Sequence, residues 1–230
     1  MPWRLRIAGS FFRGLVRDPA QALRRAPQIG IEMKSLYRFN LHIHGKDFLR
    51  AFAAESEKLG LRPFLLWGTL LGCVREGGFI EHDYDLDYGI LPGGWARKDG
   101  LIAAMERRGY RLRLDRPYLF SFERPDGLLH LDINLVYPFE GRMVCSVAED
   151  DGGISAHAFP PDVFRDLKRI PFLKDLSVWL PGDPEAVLEA IYGDWRSPVK
   201  DYNYKGGPRN RVLDAGTLSR LRNFSPPAGD

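Results

Sequence analysis

The sequence predicts an α+β fold, a mixed sheet flanked by helices, and three observations predict it. Residues 63–90 pass from a short apolar run (PFLLW) through a Gly-Thr turn and a short helix into a strand carrying Asp85 and Asp87. Residues 128–136 (LLHLDINLV) alternate apolar and polar, and the run before them, YLFSFER, ends in Pro125-Asp126-Gly127, which makes an antiparallel hairpin. Apolar residues recur at helical spacing over 46–59, 97–108 and 184–192, between the strand-like stretches.

Taken in order, Phe48, Leu49, Phe52, Ala53 and Leu59 predict a helix at 46–59, followed by a buried strand at Pro63–Trp67. Leu70, Leu71 and Val74 then keep helical spacing, with Thr69 as the expected N-cap and Gly77-Gly78 as the stop. In Tyr84–Ile90, Asp85, Asp87 and Gly89 share one strand face, while Tyr84, Leu86, Tyr88 and Ile90 share the other. Pro92-Gly93-Gly94 reads as a loop, 97–108 as a helix, and Arg111–Arg113 as the start of a strand leading to the hairpin. Within the hairpin, Leu129, Leu131, Ile133 and Leu135 face one way and His130, Asp132 and Asn134 the other. Arg142–Val147 predicts another strand, Glu149–Gly153 an acidic glycine-rich loop, and 184–192 a helix with Pro in its first turn and Gly193 as C-cap. The polar stretch Lys200–Arg211 and the end SPPAGD read as a solvated, disordered tail.

Asp85 and Asp87, two apart on a strand, aim their carboxylates at one point, roughly 7 Å apart at the backbone. Such a pair is self-repelling unless a cation sits between the two groups, and phosphate is the usual company of carboxylate-held Mg²⁺. The helix start behind Gly68 presents free N–H groups and a positive dipole end, which suits a phosphate. Gly68 and Thr69 are therefore candidate donor-binding residues, and Arg75, within two turns, is a candidate diphosphate clamp. Asp132 is the candidate third acid, as metal ligand or as base. Strand, Gly-Thr turn, helix, Asp-x-Asp strand and a later Asp on a neighbouring strand form a nucleotidyltransferase-type pattern. The bland readings stand beside these: a solvated strand edge for the acids, a surface position for Arg75, and hydrogen-bonding neighbours for His82 and His130. His42 and His44 read as surface, and Lys205, Arg209 and Arg211 as a solvated cluster.

GTLLGCVREGGFIEHDYDLD, from Gly68 to Asp87, resembles the motif of the LicD/fukutin family, approximately G-T-L-L-G-x-x-R-x-x-G-F-I-P-x-D-D-D-x-D. The resemblance resumes over 161–199 (PDVFRDLKRIPFLKDLSVWLPGDPEAVLEAIYGDWRSPV), where the family ends on Y-G-D-x-[WY]. Glu81 stands where the family has Pro, and Tyr84 replaces the middle Asp of the triplet, while Asp83, Asp85 and Asp87 keep the alternating set. The resemblance implies a nucleotidyltransferase fold. It further implies transfer of phosphocholine, ribitol phosphate or a similar unit from a CDP-linked donor to a glycan hydroxyl. Mg²⁺ or Mn²⁺ would be held by Asp85, Asp87 and Asp132.

Composition bounds the rest. The 230 residues, 44% hydrophobic, suffice for one ordinary to large domain, divided as a basic segment 1–30, a LicD-like domain 31–205 and a tail 206–230. Cys73 and Cys145 form no disulfide or zinc pattern, and no apolar run is span-length, so a reduced, cytoplasmic protein is expected. A net charge of +3 gives no case for nucleic acid. Residues 1–25 hold six arginines against Asp18 alone, interleaved with Trp3, Phe11 and Phe12. They suit either peripheral contact with an anionic inner membrane face or a helix packed on the domain. Two rivals to the transferase remain: a true nucleotidyltransferase moving NMP from an NTP, and a non-catalytic membrane-associated scaffold.

Overall fold

The computed structural model describes residues 19–148, 154–199, 208–212 and 214–224, with side chains from residue 35 onward except at 147–148. The side chains of the basic segment 1–25, the loop 149–153, Lys205 and the SPPAGD end lie outside the described residues.

The first helix, α1 (Pro19–Lys58), is a single run of 40 residues, far longer than the 46–59 expected. The apolar repeat continues upstream, because Leu41 is as buried as Phe48 and Phe52. Gly45 hid that continuity. Glycine weakens a helix interior, but a Cβ at 45 would lie 2.9 Å from the Phe79 ring, so the helix keeps close packing there instead. Among the described residues no helix is long and apolar enough to cross a membrane.

After α1 come β1 (Phe64–Leu65), α2 (Trp67–Glu76), β2 (Leu86–Ile90), α3 (Pro92–Trp95) and α4 (Lys98–Arg107). Then follow β3 (Arg111–Arg116), β4 (Leu119–Glu123), β5 (His130–Phe139), β6 (Arg142–Ala148) and β7 (Ile154–Phe159). The chain ends with β8 (Lys168–Phe172), β9 (Leu176–Leu180), α5 (Pro184–Tyr192) and α6 (Ala215–Arg222). The described strands form one mixed sheet in the order β3-β4-β5-β2-β1-β9-β8, with β6 on the far half of β5 and β7 on β6. Two pairings are parallel, β2 with β5 and β1 with β9. The expected hairpin is β4–β5, closed through Gly127 at φ 67°, where glycine's freedom is needed.

One face of the central strands is apolar throughout. Leu86, Tyr88 and Ile90 of β2, Leu131, Ile133 and Leu135 of β5, and Phe120 and Phe122 of β4 are all buried. Phe52 of α1 packs its ring on Tyr88 (4.8 Å between centroids) and on Phe122 (6.5 Å). The opposite parity carries Asp87, Asp132 and Ser121, so the alternation read in the sequence is the division between core and site.

Strands β7, β8 and β9 were not drawn from local pattern. β8 (KRIPF) holds Pro171, which a central strand would reject, but β8 is the sheet's outer strand and needs no donor there. Residues 208–224, expected as tail, continue the fold where described. Arg209 N donates to Ile191 O, Asp214 caps α6 by accepting from Thr217 N, and Tyr118 Oη donates to Phe224 O. Leu221 is fully buried in a second apolar cluster with Tyr118, Leu135, Tyr137 and Val144. Three apolar residues spaced by three (Leu218, Leu221, Phe224) were too few to read as a helix against a polar background. Leu221→Ala should therefore lower unfolding free energy by about 2–5 kcal/mol, as for a buried leucine. Urea denaturation measures it, and a loss near zero would mean the segment does not pack.

Candidate active site

The site is set by strand register. β2 and β5 run parallel with Asp87 directly across from Asp132, and Ser121 of β4 is across from Asp132 on its other side. Asp85 immediately precedes β2 on the same parity as Asp87. Leu66, just after β1, donates its N–H to Asp87 O, while Asp87 N donates to Thr69 Oγ1 at 2.9 Å. Thr69 is thus not the N-cap. Leu66 holds that position, α2 begins at Trp67, and the buried Thr69 side chain is a strut between the first turn of α2 and β2. Gly77 ends α2 at φ 66°, as expected, with its N–H donated to Gly72 O.

Gly68 meets an acid. A Cβ there would lie 2.6 Å from Asp83 Oδ2, so the Asp83 carboxyl rests against the glycine at the helix start. Asp83 Oδ1 accepts from Tyr84 N. Asp83 belongs with the site residues although the strand-pair argument named only Asp85 and Asp87. Its parity with them was the signal. His130 is a second addition, with Nε2 3.4 Å from Asp85 Oδ2, and it shares the polar face of β5 with Asp132. Arg113 of β3 is a third, its Nη1 3.7 Å from Asp132 Oδ1. Nothing local marks Arg113, since only the sheet order brings β3 near.

Electrostatically the cluster is under tension. Burial, then the negative charges of Asp85, Asp132 and Asp83, holds the Asp87 carboxyl well above the ordinary carboxylate range. Asp83 is raised by burial and by Asp85. Asp132 is raised by burial and Asp85, against the lowering pull of His130 and Arg113. Ser121 eases its ionisation without a hydrogen bond of normal geometry: Ser121 Oγ and Asp132 Oδ1 are both buried without a hydrogen-bond partner. Cys145 is buried too, its thiol pushed up by burial and by Asp87, so it is an inert neighbour.

Arg75 stands apart from the acids. It lies in the last turn of α2, about 9 Å along the axis from Thr69 at 1.5 Å per residue. Its guanidinium bonds Trp195 O at 3.2 Å and pairs with Glu76. It therefore ties α2 to the Tyr192-Gly193-Asp194-Trp195 turn. Trp67, beside Gly68, holds φ at 47°, a left-handed backbone that costs a bulky residue of order 1–3 kcal/mol. Its ring packs edge-on against His157 at 4.7 Å and near Phe159 at 6.2 Å, contacts that hold the bend.

The donor set suits a hard divalent cation. Carboxylate oxygens are the ligands Mg²⁺ takes, and Asp132 Oδ1 is a buried acceptor that receives no hydrogen bond, with only the Arg113 guanidinium near it at 3.7 Å. Among the described residues no three His, Cys, Asp or Glu side chains already converge into a cage.

Residues 60–183, more than half of the chain, match the family model described as LicD/FKTN/FKRP, nucleotidyltransferase domain. The chain belongs to this family. Its mixed sheet flanked by helices is accordingly of the nucleotidyltransferase type. The ribitol-5-phosphate transferase FKTN of Homo sapiens is 27% identical over 178 residues, covering 72% of this chain and 36% of that protein. An uncharacterised protein of Rickettsia typhi is 28% identical over 142 residues, covering 60% of this chain and 42% of its own length. The chain thus spans half or less of the curated relatives it matches. The crystal structure of ANT(2")-Ia in complex with adenylyl-2"-tobramycin overlaps 77% of this chain and 94% of that one. That overlap, at TM-score 0.45 and 16% identity, is too loose to bear on function.

The tension in the LicD-family site has a sign. Because the folded Asp87 holds its proton to higher pH than the ordinary 3.8, the native state binds more protons, and stability falls as pH rises from about that value through the raised pKa. Without metal, Asp87→Asn should raise Tm at neutral pH, by roughly 2–4 °C per kcal/mol of relieved repulsion. The gain should fade as pH falls toward 4. Thermal scans in a chelator check it, and a destabilised Asn variant would remove the repulsion from the account.

Proposed function

We propose that the chain is a metal-dependent transferase that moves a phospho-alcohol unit from a CDP-linked donor to a glycan hydroxyl. The observation that carries this is the cluster of Asp83, Asp85, Asp87 and Asp132 built by the β2–β5 register beside the start of α2. A scaffold gains nothing from four half-buried acids that repel one another. Membership of the LicD family supports a transferase of phosphorus-containing groups, and the match to a ribitol-5-phosphate transferase supports a polyol or similar alcohol phosphate.

In this reading Asp85 and Asp87 hold Mg²⁺ or Mn²⁺, with Asp132 completing the set. A bound divalent cation supplies charge neutralisation at the diphosphate. Free N–H groups at the start of α2 bind donor phosphate, beside Gly68, whose missing side chain leaves the room that the Asp83 carboxyl fills. Thr69 fixes β2 against that helix. His130 orients the Asp85 carboxylate. The acceptor oxygen bonds to phosphorus as the bond to CMP breaks, and CMP leaves with the electron pair. Asp132 receives the hydroxyl proton, or stays a ligand while that proton passes to solvent water. The reading weighted here is ligand, because an acid beside a divalent ion is held ionised and is a weak base.

Asp85→Asn and Asp87→Asn should each abolish transfer in a protein that remains folded, since each loses several kcal/mol of transition-state stabilisation. Turnover is read as release of CMP from CDP-choline, CDP-ribitol or CDP-glycerol. Pyrophosphate release from an NTP instead would give the rival nucleotidyltransferase, and near-normal turnover by the double variant would sink the site. For Asp132→Asn, calorimetry of metal and donor is set beside single-turnover rates. Weaker metal binding rescued by excess metal marks a ligand, whereas intact binding with a roughly 10²–10⁴-fold slower step marks a base.

A cytoplasmic location at the inner membrane face, with residues 1–25 as the contact, is part of the same proposal. Its support is the arginine-aromatic composition of that segment. Full-length protein should bind anionic vesicles at low salt, release as salt rises, and lose binding when residues 1–25 are removed. Indifference to such vesicles would retire the membrane contact.

A further inference from the structure

The backbone bend at Trp67 is held by a stretch whose sequence reads as tail. Trp67 is the first residue of α2 and keeps a left-handed φ of 47°, which a bulky residue holds only when its surroundings enforce it. Gly68 follows it, and Leu66 before it makes no side-chain cap, so the N–H groups of this first turn lack an intrahelical partner. What enforces the bend lies outside the helix. The Trp67 ring meets the His157 ring of β7 edge-on, with 4.7 Å between centroids. His157 is fixed in turn: its Nδ1 donates to Asn210 Oδ1 at 3.1 Å, since an amide oxygen only accepts. Burial holds the imidazole below its ordinary range, so at pH 7 the ring is neutral and Nδ1 carries its one proton.

Asn210 is anchored through its backbone. Ala158 N donates to Asn210 O at 2.9 Å, and its neighbours are tied likewise, Arg209 N to Ile191 O and Val212 N to Ala156 O. Residues 208–212 therefore lie along β7, with Arg211 bridged to His157. Across from His157 on β6 is Cys145, whose thiol is raised by burial and then by the charge of Asp87. This end of β7 thus borders the acid cluster. We propose that His157 and Asn210 are positioning residues for the donor diphosphate. Asn210 sets the His157 ring, the ring holds Trp67 in its left-handed bend, and the bend aims the first N–H groups of α2. Resting on the transferase reading above, this makes 208–212 a working part of the site, acting through Trp67 and not by touching the ligand.

The test titrates full-length protein with CDP in the presence of Mn²⁺ by calorimetry, beside a titration with Mn²⁺ alone. Asn210→Ala removes a single side-chain bond at a half-buried position, so it should fold. Asn210→Ala and His157→Ala should each weaken CDP binding about tenfold and leave Mn²⁺ affinity unchanged. Asn210→Asp keeps the accepting oxygen and should restore most of the lost affinity. In a Trp67→Ala background, itself weakened, His157→Ala should cost nothing further, because its effect travels through Trp67. Wild-type affinity for CDP in both alanine variants overturns the inference and leaves the proposed function standing. A further loss in the double variant overturns it too, since His157 would then act on the ligand directly. So does a parallel fall in Mn²⁺ affinity, or no recovery in Asn210→Asp, either of which marks general damage. Wild-type protein that binds no CDP with Mn²⁺ retires the proposed function and the inference with it.

Discussion

The parallel pairing of β2 with β5 is the constraint on which the rest of the site depends, because it alone sets Asp87 opposite Asp132. Parallel neighbours need a long crossover, and here the chain passes through α3, α4, β3 and β4 before β5 docks. Register across such a gap has no turn to fix it. It is fixed by the other face. Leu86, Tyr88 and Ile90 are paired with Leu131, Ile133 and Leu135, all essentially unexposed. A slip of one residue would drive Asp132 into that core and expose three leucine or isoleucine side chains. The apolar face therefore determines where the acids stand.

Holding the acids there is unfavourable by itself, and the surrounding struts show how the fold offsets it. Asp87 is clamped through its backbone, with its N–H on Thr69 and its C=O on Leu66, so its carboxylate direction does not depend on its charge. Asn134, next on the same face of β5, donates to Tyr88 O and closes the β2–β5 seam from the site side. Arg113 brings positive charge within 3.7 Å of Asp132 Oδ1, and His130 Nε2 lies 3.4 Å from Asp85 Oδ2, contacts that do not neutralise four acids. The left-handed Trp67 adds local strain at the same place. A site preorganised in this way spends folding energy on a geometry that a cation and a phosphate can then complete.

What the sequence made legible followed from periodicity two. Alternation in 86–90 and 129–135 picked out the apolar face that the structure buries, and the turn Pro125-Asp126-Gly127 made the hairpin unambiguous. The same parity should have promoted Asp83 and His130 to the site. What it could not supply was anything set by long-range order. Thr69 looked like a cap because capping residues are recognised by type, whereas its actual role needs the position of a strand 18 residues on. Arg75 looked like a phosphate clamp because its partner, the Trp195 carbonyl, is 120 residues away. α1 was cut short by a glycine whose reason is the Phe79 ring, and β8 was hidden by a proline that only an outer strand accepts.

Parity also bears on the two departures from the LicD motif. Tyr84, in place of the family's middle Asp, falls between Asp83 and Asp85, off the alternation that Asp83, Asp85 and Asp87 share. Its N–H donates to Asp83 Oδ1, a backbone contact that any residue provides. An additional carboxylate at 84 would have added charge to a cluster already raised in pKa by its own members. Glu81 stands exposed at the turn before the acids, where proline's fixed φ would stiffen the approach but no buried donor is at stake. Both substitutions thus alter the rim of the site and leave its alternating acids intact, which places any difference from other family members in what approaches the cluster rather than in the cluster itself.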